Sequence, residues 1–357
     1  MKNLILLFLL AFSCSAFAQT IRRVNNTPGL NDPNVYATAQ AAHDAAAPND
    51  IISLEPSASP YYGFVTVTKQ INIIGNGYFL DKNPNNTFDK RQPILSSIIF
   101  DGGSTNSTIT GVSCGSSIAV NSPNITITRC KIGGGVGFGQ SSGTIGGTYQ
   151  YGSNCNLTSN FIEGGGINGN PNATNCTITN NIMSSQGQIY LSGLVSANIS
   201  YNTFNVGQFN TGFSGFQNCI FANNIIDGRS TAITTVIIQN SNNTTVSNNI
   251  CLGINGLPTG AGNINGANPS IIFTGSSNPF TTYTGANNSD KDFQLAVGSP
   301  ALTAAAGGTQ AGAFGNGANA YRLSGVPNTP IVTSFISTGS GNNTTPLSIT
   351  VSVRSNN

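Results

Sequence analysis

The sequence predicts an all-β fold in which the chain winds into a single solenoid of stacked parallel strands. Seven segments follow one template, some of them loosely: a small residue, a spacer, an apolar residue, Thr or Ser, then Asn and further apolar residues. Successive central apolar residues are separated by 18, 30, 21, 21, 22 and 25 positions. A period of roughly 20 to 50 residues indicates stacked units, each too small to bury its own apolar face. The central residues are Ile109, Ile127, Leu157, Ile178, Ile199, Phe221 and Val246.

The small position of the template is predicted to face the interior. Residues two apart in a strand lie on the same side, so the small residue and the central apolar residue both point inward. Cys155, Cys176 and Cys219 occupy the small position and are expected to behave as small buried hydrophobes. A disulfide between Cys155 and Cys176 on neighbouring coils is geometrically conceivable and stays open. No metal site is expected, because the chain has no CxxC pair and its only histidine is His43.

A column of asparagines is predicted at the bend that ends each strand. Stacked amides can hydrogen-bond from one coil to the next, as they do in cross-β assemblies. Cys130 takes this position in an earlier copy. The predicted structural ladder consists of Asn160, Asn181, Asn202, Asn224 and Asn249.

The first 18 residues read as a secretory signal, with a positive start, a short apolar stretch and a small-x-small cleavage site before Gln19. The apolar stretch is too short for a stable membrane-spanning helix, and no later stretch qualifies as one. We therefore predict a signal peptide over 1–18, a solenoid domain with its N-terminal cap over 19–325, and a C-terminal tail over 326–357.

The start of the solenoid is predicted to carry a capping helix. The Ala-rich stretch 37–47 ends at a Pro-Asn-Asp turn, and a short amphipathic helix there would cover the exposed end of the stack. His43 lies in this helix and is expected to be a solvated or capping side chain. Strands are expected at Ile51–Leu54, 64–68 and 71–74, and the charged stretch 79–97 is expected to be a loop.

Three irregular stretches follow. The Gly-rich stretch 133–152 is predicted to bulge out of one coil without breaking the stack. Residues 292–325 are predicted to form a last coil and its closing loop. The tail carries two strand-like runs, 331–336 and 347–353, which are expected to lie along the solenoid or to close its far end.

Composition narrows the classes of partner. Charged residues make up 7% of the chain, and 13 Lys and Arg nearly balance 11 Asp and Glu. Nucleic-acid binding needs clustered cations that neutralise phosphates, and binding to anionic lipid needs a basic segment. We therefore expect no nucleic-acid partner and no charged membrane surface, and no cofactor is indicated.

Three stretches carry a resemblance to a known family: ATAQAAHDAAAPNDIISLEPSASPYYGFVTVTKQINIIGNGY near the N-terminus, the NCTITNNI coils, and DFQLAVGSPALTAAAGGTQAGAFG near the end. Together they resemble the right-handed parallel β-helix, or pectin-lyase-like, superfamily over roughly residues 35–320, and more narrowly secreted β-helix proteins of uncertain function. The resemblance implies right-handed coils. The superfamily includes lyases, hydrolases, esterases, epimerases and adhesins, so the resemblance is informative about fold rather than activity.

Enzymes of this superfamily typically act on acidic polysaccharides through clustered carboxylates, often with calcium, or through a Lys or Arg base. Glu163 and Asp227 share one repeat position but lie three coils apart, which is about 14 Å at about 4.8 Å per coil. Glycosidase carboxylate pairs lie about 5 to 9.5 Å apart. These two carboxylates are therefore not expected to act together.

Four charged side chains remain candidates for binding a substrate. Arg129 and Lys131 stand two residues apart and are expected to face the same way, where they could hold an anionic sugar. Asp227 and Arg229 flank a glycine, and Arg229 could serve as a base or a substrate clamp. Each pair also has a purely structural explanation. Arg129 and Lys131 are then a charge pair at a strand edge, and Asp227 and Arg229 form a turn with a local ion pair.

The outward face offers a different interpretation. Pairs of Thr flank three central residues: Thr108/Thr110, Thr126/Thr128 and Thr177/Thr179. Other copies carry Asn or Ser, and Ile220/Ala222 interrupts the series. Regular Thr arrays on β-helices resemble ice-binding faces, although Thr is also common on solvated strands.

An uncharged face of Asn, Ser, Thr and Tyr suits neutral carbohydrate. We therefore predict an exported protein, secreted or at the cell surface, that binds a polysaccharide, a cell-surface glycan or another surface without catalysis. The alternatives are a polysaccharide lyase or glycoside hydrolase, and a structural envelope component or ice-binding protein.

Overall fold

Three parallel β-sheets build the protein, and a coil contributes one short strand to each sheet. The computed structural model describes residues 19–83, 85, 87–184, 191–205, 212–227, 238–254, 256–274, 279–282 and 288–355. The predicted signal peptide, 1–18, and Arg229 lie outside these residues. The predicted solenoid of stacked parallel strands is confirmed, and the fold is mostly β.

Sheet A has eleven strands. They are β1 (Ile21–Val24), β2 (Val35–Tyr36), β3 (Ile51–Leu54), β5 (Asn72–Ile74), β8 (Thr108–Thr110), β11 (Thr126–Thr128), β16 (Asn156–Thr158), β19 (Thr177–Thr179), β22 (Asn198–Ser200), β25 (Ile220–Ala222) and β28 (Thr245–Ser247). Their spatial order is β2-β1-β3-β5-β8-β11-β16-β19-β22-β25-β28. From β3 onward the order in space follows the order in the chain, as stacking coil upon coil requires.

Sheets B and C have eight strands each, and both stack in chain order. Sheet B consists of β6 (Ile94–Leu95), β9 (Ser113–Cys114), β12 (Lys131–Ile132), β17 (Phe161–Ile162), β20 (Ile182–Met183), β23 (Thr203–Asn205), β26 (Ile225–Asp227) and β29 (Ile250–Cys251). Sheet C consists of β4 (Val65–Val67), β7 (Ile98–Phe100), β10 (Ile118–Val120), β13 (Val136–Phe138), β18 (Ile167–Asn168), β21 (Leu191–Ser192), β24 (Phe213–Ser214) and β27 (Ile238–Gln239).

The central apolar residues of the repeat form one continuous column in sheet A. Ile127 pairs with Ile109 on one side and with Leu157 on the other, and the same register continues to Val246. All of the column from Ile109 to Phe221 is buried, and Val246 near the end is partly buried. Burial of apolar surface stabilises the folded state by about 25 cal/mol per Å². Such columns are therefore the main stabilising contribution in a solenoid.

The six cysteines between Cys114 and Cys251 are buried and free. The disulfide between Cys155 and Cys176 that the sequence left open is therefore not formed. Contact with the Cys176 thiol and burial raise the pKa of the Cys155 thiol. These side chains fill the interior as small hydrophobes.

The asparagine column forms a continuous hydrogen-bonded ladder. Asn160 donates to the Asn181 side-chain oxygen from both its backbone N–H (2.9 Å) and its Nδ2 (3.0 Å). Its Nδ2 also donates to the Ile127 carbonyl. The same pattern repeats from Asn181 to Asn202, Asn224 and Asn249. The ladder begins at the backbone N–H of Cys130 and ends on Asn263, a member that sequence reasoning missed.

Helix α1 (Ala39–Ala45) lies within the predicted stretch 37–47, and Thr38 caps it by accepting from the Ala41 N–H. Of the two states expected for His43, a solvated or a capping side chain, the solvated one is wrong. The His43 ring is 2% exposed, and its Nε2 accepts the backbone N–H of Thr68 at 3.2 Å. Burial lowers the pKa of His43, so the ring favours its neutral form.

Two predicted loops contain regular structure. The stretch 79–97 includes strand β6, and its residues Phe79 and Leu80 are buried. The Gly-rich stretch 133–152 includes β13 of sheet C and an antiparallel hairpin, β14 (Gln140–Ile145) with β15 (Thr148–Tyr151).

The predicted last coil over 292–325 is wrong. Residues 288–327, called the closing segment below, add no strand to the three sheets and run back along the outside of sheet B. The Gly312 N–H donates to the Asn223 carbonyl in a late coil, whereas the Ser324 carbonyl accepts the Tyr78 N–H in an early one. Small residues allow this close approach: a Cβ on Gly312 would lie 2.6 Å from Ile225 Cδ1.

Short helical turns follow the last coil. Helix α2 spans Pro279–Thr282. The 3-10 turns are Pro269–Ile271, Asp290–Phe293, Pro300–Leu302, Ala306–Gly308, Gly317–Asn319 and Leu323–Gly325. Within the described ranges no helix is long and apolar enough to cross a membrane.

The tail forms an antiparallel hairpin, β30 (Ile331–Ser337) with β31 (Ile349–Arg354), close to the two predicted strand-like runs. The hairpin is attached beside the early coils. The Phe88 N–H donates to the Val332 carbonyl at 2.8 Å, and the rings of Phe88 and Phe335 lie 6.1 Å apart.

Candidate functional site

The outward face of sheet A carries two parallel rows of mostly short polar side chains, which Ile74, Ile220 and Ala222 interrupt. Strand register aligns the residue before each central apolar residue in one row and the residue after it in a second. The first row is Asn72, Thr108, Thr126, Asn156, Thr177, Asn198, Ile220 and Thr245. The second row is Ile74, Thr110, Thr128, Thr158, Thr179, Ser200, Ala222 and Ser247.

A groove of about 300 Å³ lies where these rows meet the closing segment. Its floor comes from three neighbouring strands, β11, β16 and β19, and its wall comes from Asn319 and Ala320. The volume is at the lower end of the range for small-ligand sites. The groove, called the sheet A groove below, is lined by Thr128, Arg129, Asn156, Thr158, Ser159, Thr177, Thr179, Asn319 and Ala320.

A column of left-handed turn residues holds the wall in place. Ser159 and Asn180 have φ values of 57° and lie between the sheet A strands and the asparagine ladder. Ser159 Oγ donates to the Asn319 carbonyl at 3.2 Å. Asn180 Nδ2 donates to the carbonyls of Ala313 and Gly315 at 3.0 and 2.8 Å. Asn tolerates the left-handed conformation better than most residues, so these positions set both the bend and the docking of the wall.

Arg129 occupies the same turn column and forms one end of the sheet A groove. Its φ is 53°, and its Nη1 donates to the Val326 carbonyl at 3.2 Å and to Asn328 Oδ1 at 2.6 Å. Burial and the nearby Arg322 guanidinium lower the pKa of Arg129. Arg129 therefore holds the end of the closing segment.

Lys131 has different partners from Arg129. Its Nζ forms an ion pair with Glu163 and lies 5.4 Å from the centroid of the Phe79 ring. The left-handed turn at Arg129 interrupts the strand alternation, so the spacing of two does not bring the two side chains onto one strand face. The structure does not assemble the expected cation pair.

The two carboxylates that share a repeat position, Glu163 and Asp227, are separated. Asp227 is buried in β26, opposite Asn205 of β23. Glu163 follows β17, and the order β17-β20-β23-β26 places three coil steps between the two carboxylates. Among the residues that the structure describes, no group of three or more His, Cys, Asp or Glu side chains could hold a metal ion.

Sequence reasoning identified the Thr rows but missed the wall of the groove. Asn319 and Ala320 lie more than a hundred positions from the strands that they border. A usable signal was present in the turn column, where Ser159, Asn180 and Asn223 come directly before ladder asparagines. Comparison of the chain with protein-family models, with curated proteins and with solved structures gives no match.

Proposed function

We propose that this protein is an exported, right-handed parallel β-helix of the pectin-lyase-like type, capped by α1, and that it binds polysaccharide in the sheet A groove without catalysis. One observation carries the proposal: the rows of hydroxyl and amide side chains on sheet A meet a polar wall and enclose a groove of about 300 Å³. The lining contains one cation and, within the described chain, no carboxylate.

The chemistry of the lining suits neutral sugar hydroxyls. Thr, Ser and Asn side chains both donate and accept hydrogen bonds, so they can match a hydroxyl in either role. Asn156 is exposed at the floor, and Thr158 Oγ1 lies 3.3 Å from Thr128 Oγ1. A polymer chain can extend the contact toward the early coils, because Thr126, Thr108 and Asn72 continue the first row at about 4.8 Å per coil.

The arrangement of carboxylates favours binding over hydrolysis. Glu163 is engaged with Lys131, and Asp227 lies three coil steps away. A two-carboxylate glycosidase mechanism requires a separation of about 5 to 9.5 Å, which three coils at about 4.8 Å each exceed.

Affinity electrophoresis and calorimetry against a panel of neutral and acidic polysaccharides test the proposal. We expect one neutral polysaccharide or more to bind, and Asn156→Ala together with Thr177→Ala to weaken that binding at least about tenfold, or about 1.4 kcal/mol. Asn168→Ala is the matched control, since Asn168 is an exposed outward residue of sheet C. Absence of binding to every polysaccharide, or equal loss in the control, contradicts the sheet A groove as the site.

A lyase or hydrolase activity is the competing outcome. The same polysaccharides are incubated with the protein and monitored for unsaturated sugars and for reducing ends. Release of unsaturated sugars that is lost in Arg229→Ala would replace the binding proposal with a catalytic one.

A further inference from the structure

Each sheet A strand from β8 to β28 follows a left-handed turn that presents one exposed polar side chain. The residue stands three positions before the central apolar residue and has a φ of 50° to 65°. Every one of these side chains is exposed. Strand register places them in a line parallel to the two rows on sheet A. The line, called the turn row below, is Asn106, Asn124, Asn154, Asn175, Ser196, Asn218 and Asn243.

The amides of the turn row contact each other from coil to coil. Asn124 Nδ2 donates to Asn106 Oδ1 at 3.1 Å, and Asn175 Nδ2 donates to Asn154 Oδ1 at 3.4 Å. A side-chain amide has two N–H groups and an oxygen with two lone pairs, and each of these contacts uses one N–H. The exposed amides therefore keep donors and acceptors with which a ligand can form hydrogen bonds.

The left-handed conformation alone does not explain the asparagines. Glycine adopts a positive φ without a steric penalty, and the chain uses it at the left-handed turns that follow β21 and β24, Gly193 and Gly215. No position of the turn row is Gly, although the chain contains 43 glycines. The polar side chain is therefore what the positions of the row have in common, and its chemistry is that of the lining of the sheet A groove.

The hairpin of β14 and β15 borders the turn row at the early coils. Gln150 Oε1 accepts the Ser122 hydroxyl at 3.0 Å, and the Thr105 hydroxyl lies 3.4 Å from it. Thr105 directly precedes Asn106, and Ser122 stands two positions before Asn124. The wall of the sheet A groove lies beyond the opposite ends of the strands. The polar surface of sheet A is therefore bounded on both sides at the coil of β11.

We infer that Asn106 and Asn124 bind the same polysaccharide as the sheet A groove, and that this ligand is a linear neutral glycan in an extended conformation. The inference rests on the proposed function of that groove. The first row offers a contact in every coil, about 4.8 Å apart, and the turn row lies at most about 7 Å beside it. Two parallel lines of polar groups fit the two hydroxyl-bearing edges of a ribbon-like β-1,4-linked glucan. A coiled α-1,4-linked glucan does not present its hydroxyls in two such lines.

The contact is expected to extend in one direction only. Toward the early coils the first row continues with Thr126 and Thr108. Toward the late coils it is interrupted by Ile220, which is 50% exposed and cannot form a side-chain hydrogen bond. Asn218 and Asn243 belong to the turn row on that side and make the same amide contact at 3.2 Å. They therefore provide a control that matches the early pair in chemistry, backbone conformation and exposure.

Calorimetry of the full chain with cellohexaose and with maltohexaose tests the inference. We expect cellohexaose to bind, and Asn106→Gly together with Asn124→Gly to weaken its binding at least about fivefold, or about 1 kcal/mol. Glycine keeps the left-handed turns and removes only the amides. Asn218→Gly together with Asn243→Gly is expected to leave the affinity unchanged. Maltohexaose is expected to bind at least about tenfold more weakly than cellohexaose. Urea denaturation verifies that both double variants are folded.

The outcomes separate this inference from the proposed function. Equal effects of the early and the late double variant, or no effect of either, overturn the role of Asn106 and Asn124. If Asn156→Ala with Thr177→Ala still abolishes binding in that case, the sheet A groove remains the site. Maltohexaose that binds as tightly as cellohexaose overturns the extended ligand. Absence of binding to every glycan contradicts both the inference and the proposed function.

Discussion

Asn181 accepts two hydrogen bonds from Asn160 on a single side-chain oxygen, one from the backbone N–H and one from the amide Nδ2. Its own Nδ2 donates to the Leu157 carbonyl at 2.8 Å and to Asn202. One side chain therefore satisfies two buried backbone groups of the preceding coil, at the bend where the strand ladders are interrupted. The ladder adds side-chain hydrogen bonds between coils to those of the short strands.

Removing one ladder member should destabilise the solenoid. Asn181→Ala leaves the Asn160 N–H and the Leu157 carbonyl buried without these partners, and each such group costs about 1 to 3 kcal/mol. We expect a loss of about 3 kcal/mol or more in the free energy of unfolding, measured by urea denaturation. Asn156→Ala, on the exposed face, should change it by less than about 0.5 kcal/mol. Equal effects of the two variants would show that the ladder contributes no specific stability.

The ladder should accept a new member at Cys130. The backbone N–H of Cys130 already donates to Asn160 Oδ1, and its Sγ lies near the Ile109 carbonyl. An amide at this position can donate to both acceptors, so Cys130→Asn is expected to keep or raise the urea midpoint. Cys155→Asn is the control, because it places an amide among apolar side chains and should cost about 1 to 3 kcal/mol. A large loss in Cys130→Asn would contradict the equivalence of the two positions.

The thiols should be inert in the native protein. Burial raises the pKa of Cys114 to about 11 and that of Cys130 to about 12, and the thiolate is the reactive form. We expect no reaction with an aromatic disulfide reagent at neutral pH, followed by release of six thiols in denaturant from a chain that begins at Gln19. Rapid labelling of the folded protein would contradict the observed burial.

Stability should depend on pH through Asp290. This carboxyl is buried in the closing segment, where it accepts the Ser324 N–H at 2.6 Å, the Tyr321 hydroxyl at 3.1 Å and Asn83 Nδ2 at 2.9 Å. Burial raises its pKa from 3.8 to about 6. The folded chain therefore binds more protons than the unfolded chain between about pH 4 and pH 6. Its contribution to stability is fully present below that window and is lost as the pH rises through it.

The size of this effect follows from the shift of the pKa, and is on the order of 3 kcal/mol. Urea unfolding of the native chain and of Asp290→Asn across the same pH range isolates the contribution of Asp290 to the free energy of unfolding. The other carboxylates contribute equally in the two proteins. We expect the difference between the two free energies to change between about pH 4 and pH 6. A constant difference across this range would show that Asp290 titrates normally.

The repeat was sufficient to predict the stacked coils, since each copy places apolar residues at alternate positions and a bend at a constant distance. The column from Ile109 to Val246 and the burial of the cysteines beside it follow from that alternation, which depends on strand geometry alone. Arg129 shows the limit of the same rule. A single left-handed residue ends the alternation, and no spacing count reveals that Arg129 and Lys131 have different partners.

The sequence by itself determined the solenoid, its inward columns and the positions of the asparagine ladder, because these depend on local periodicity. Only the tertiary structure decided the path of the closing segment, the burial of His43 and Asp290, and the wall of the sheet A groove. These features depend on contacts between residues far apart in the chain, such as Ser159 with Asn319. Small residues such as Gly312 make those contacts possible, and a small residue in a sequence does not specify which surface it approaches.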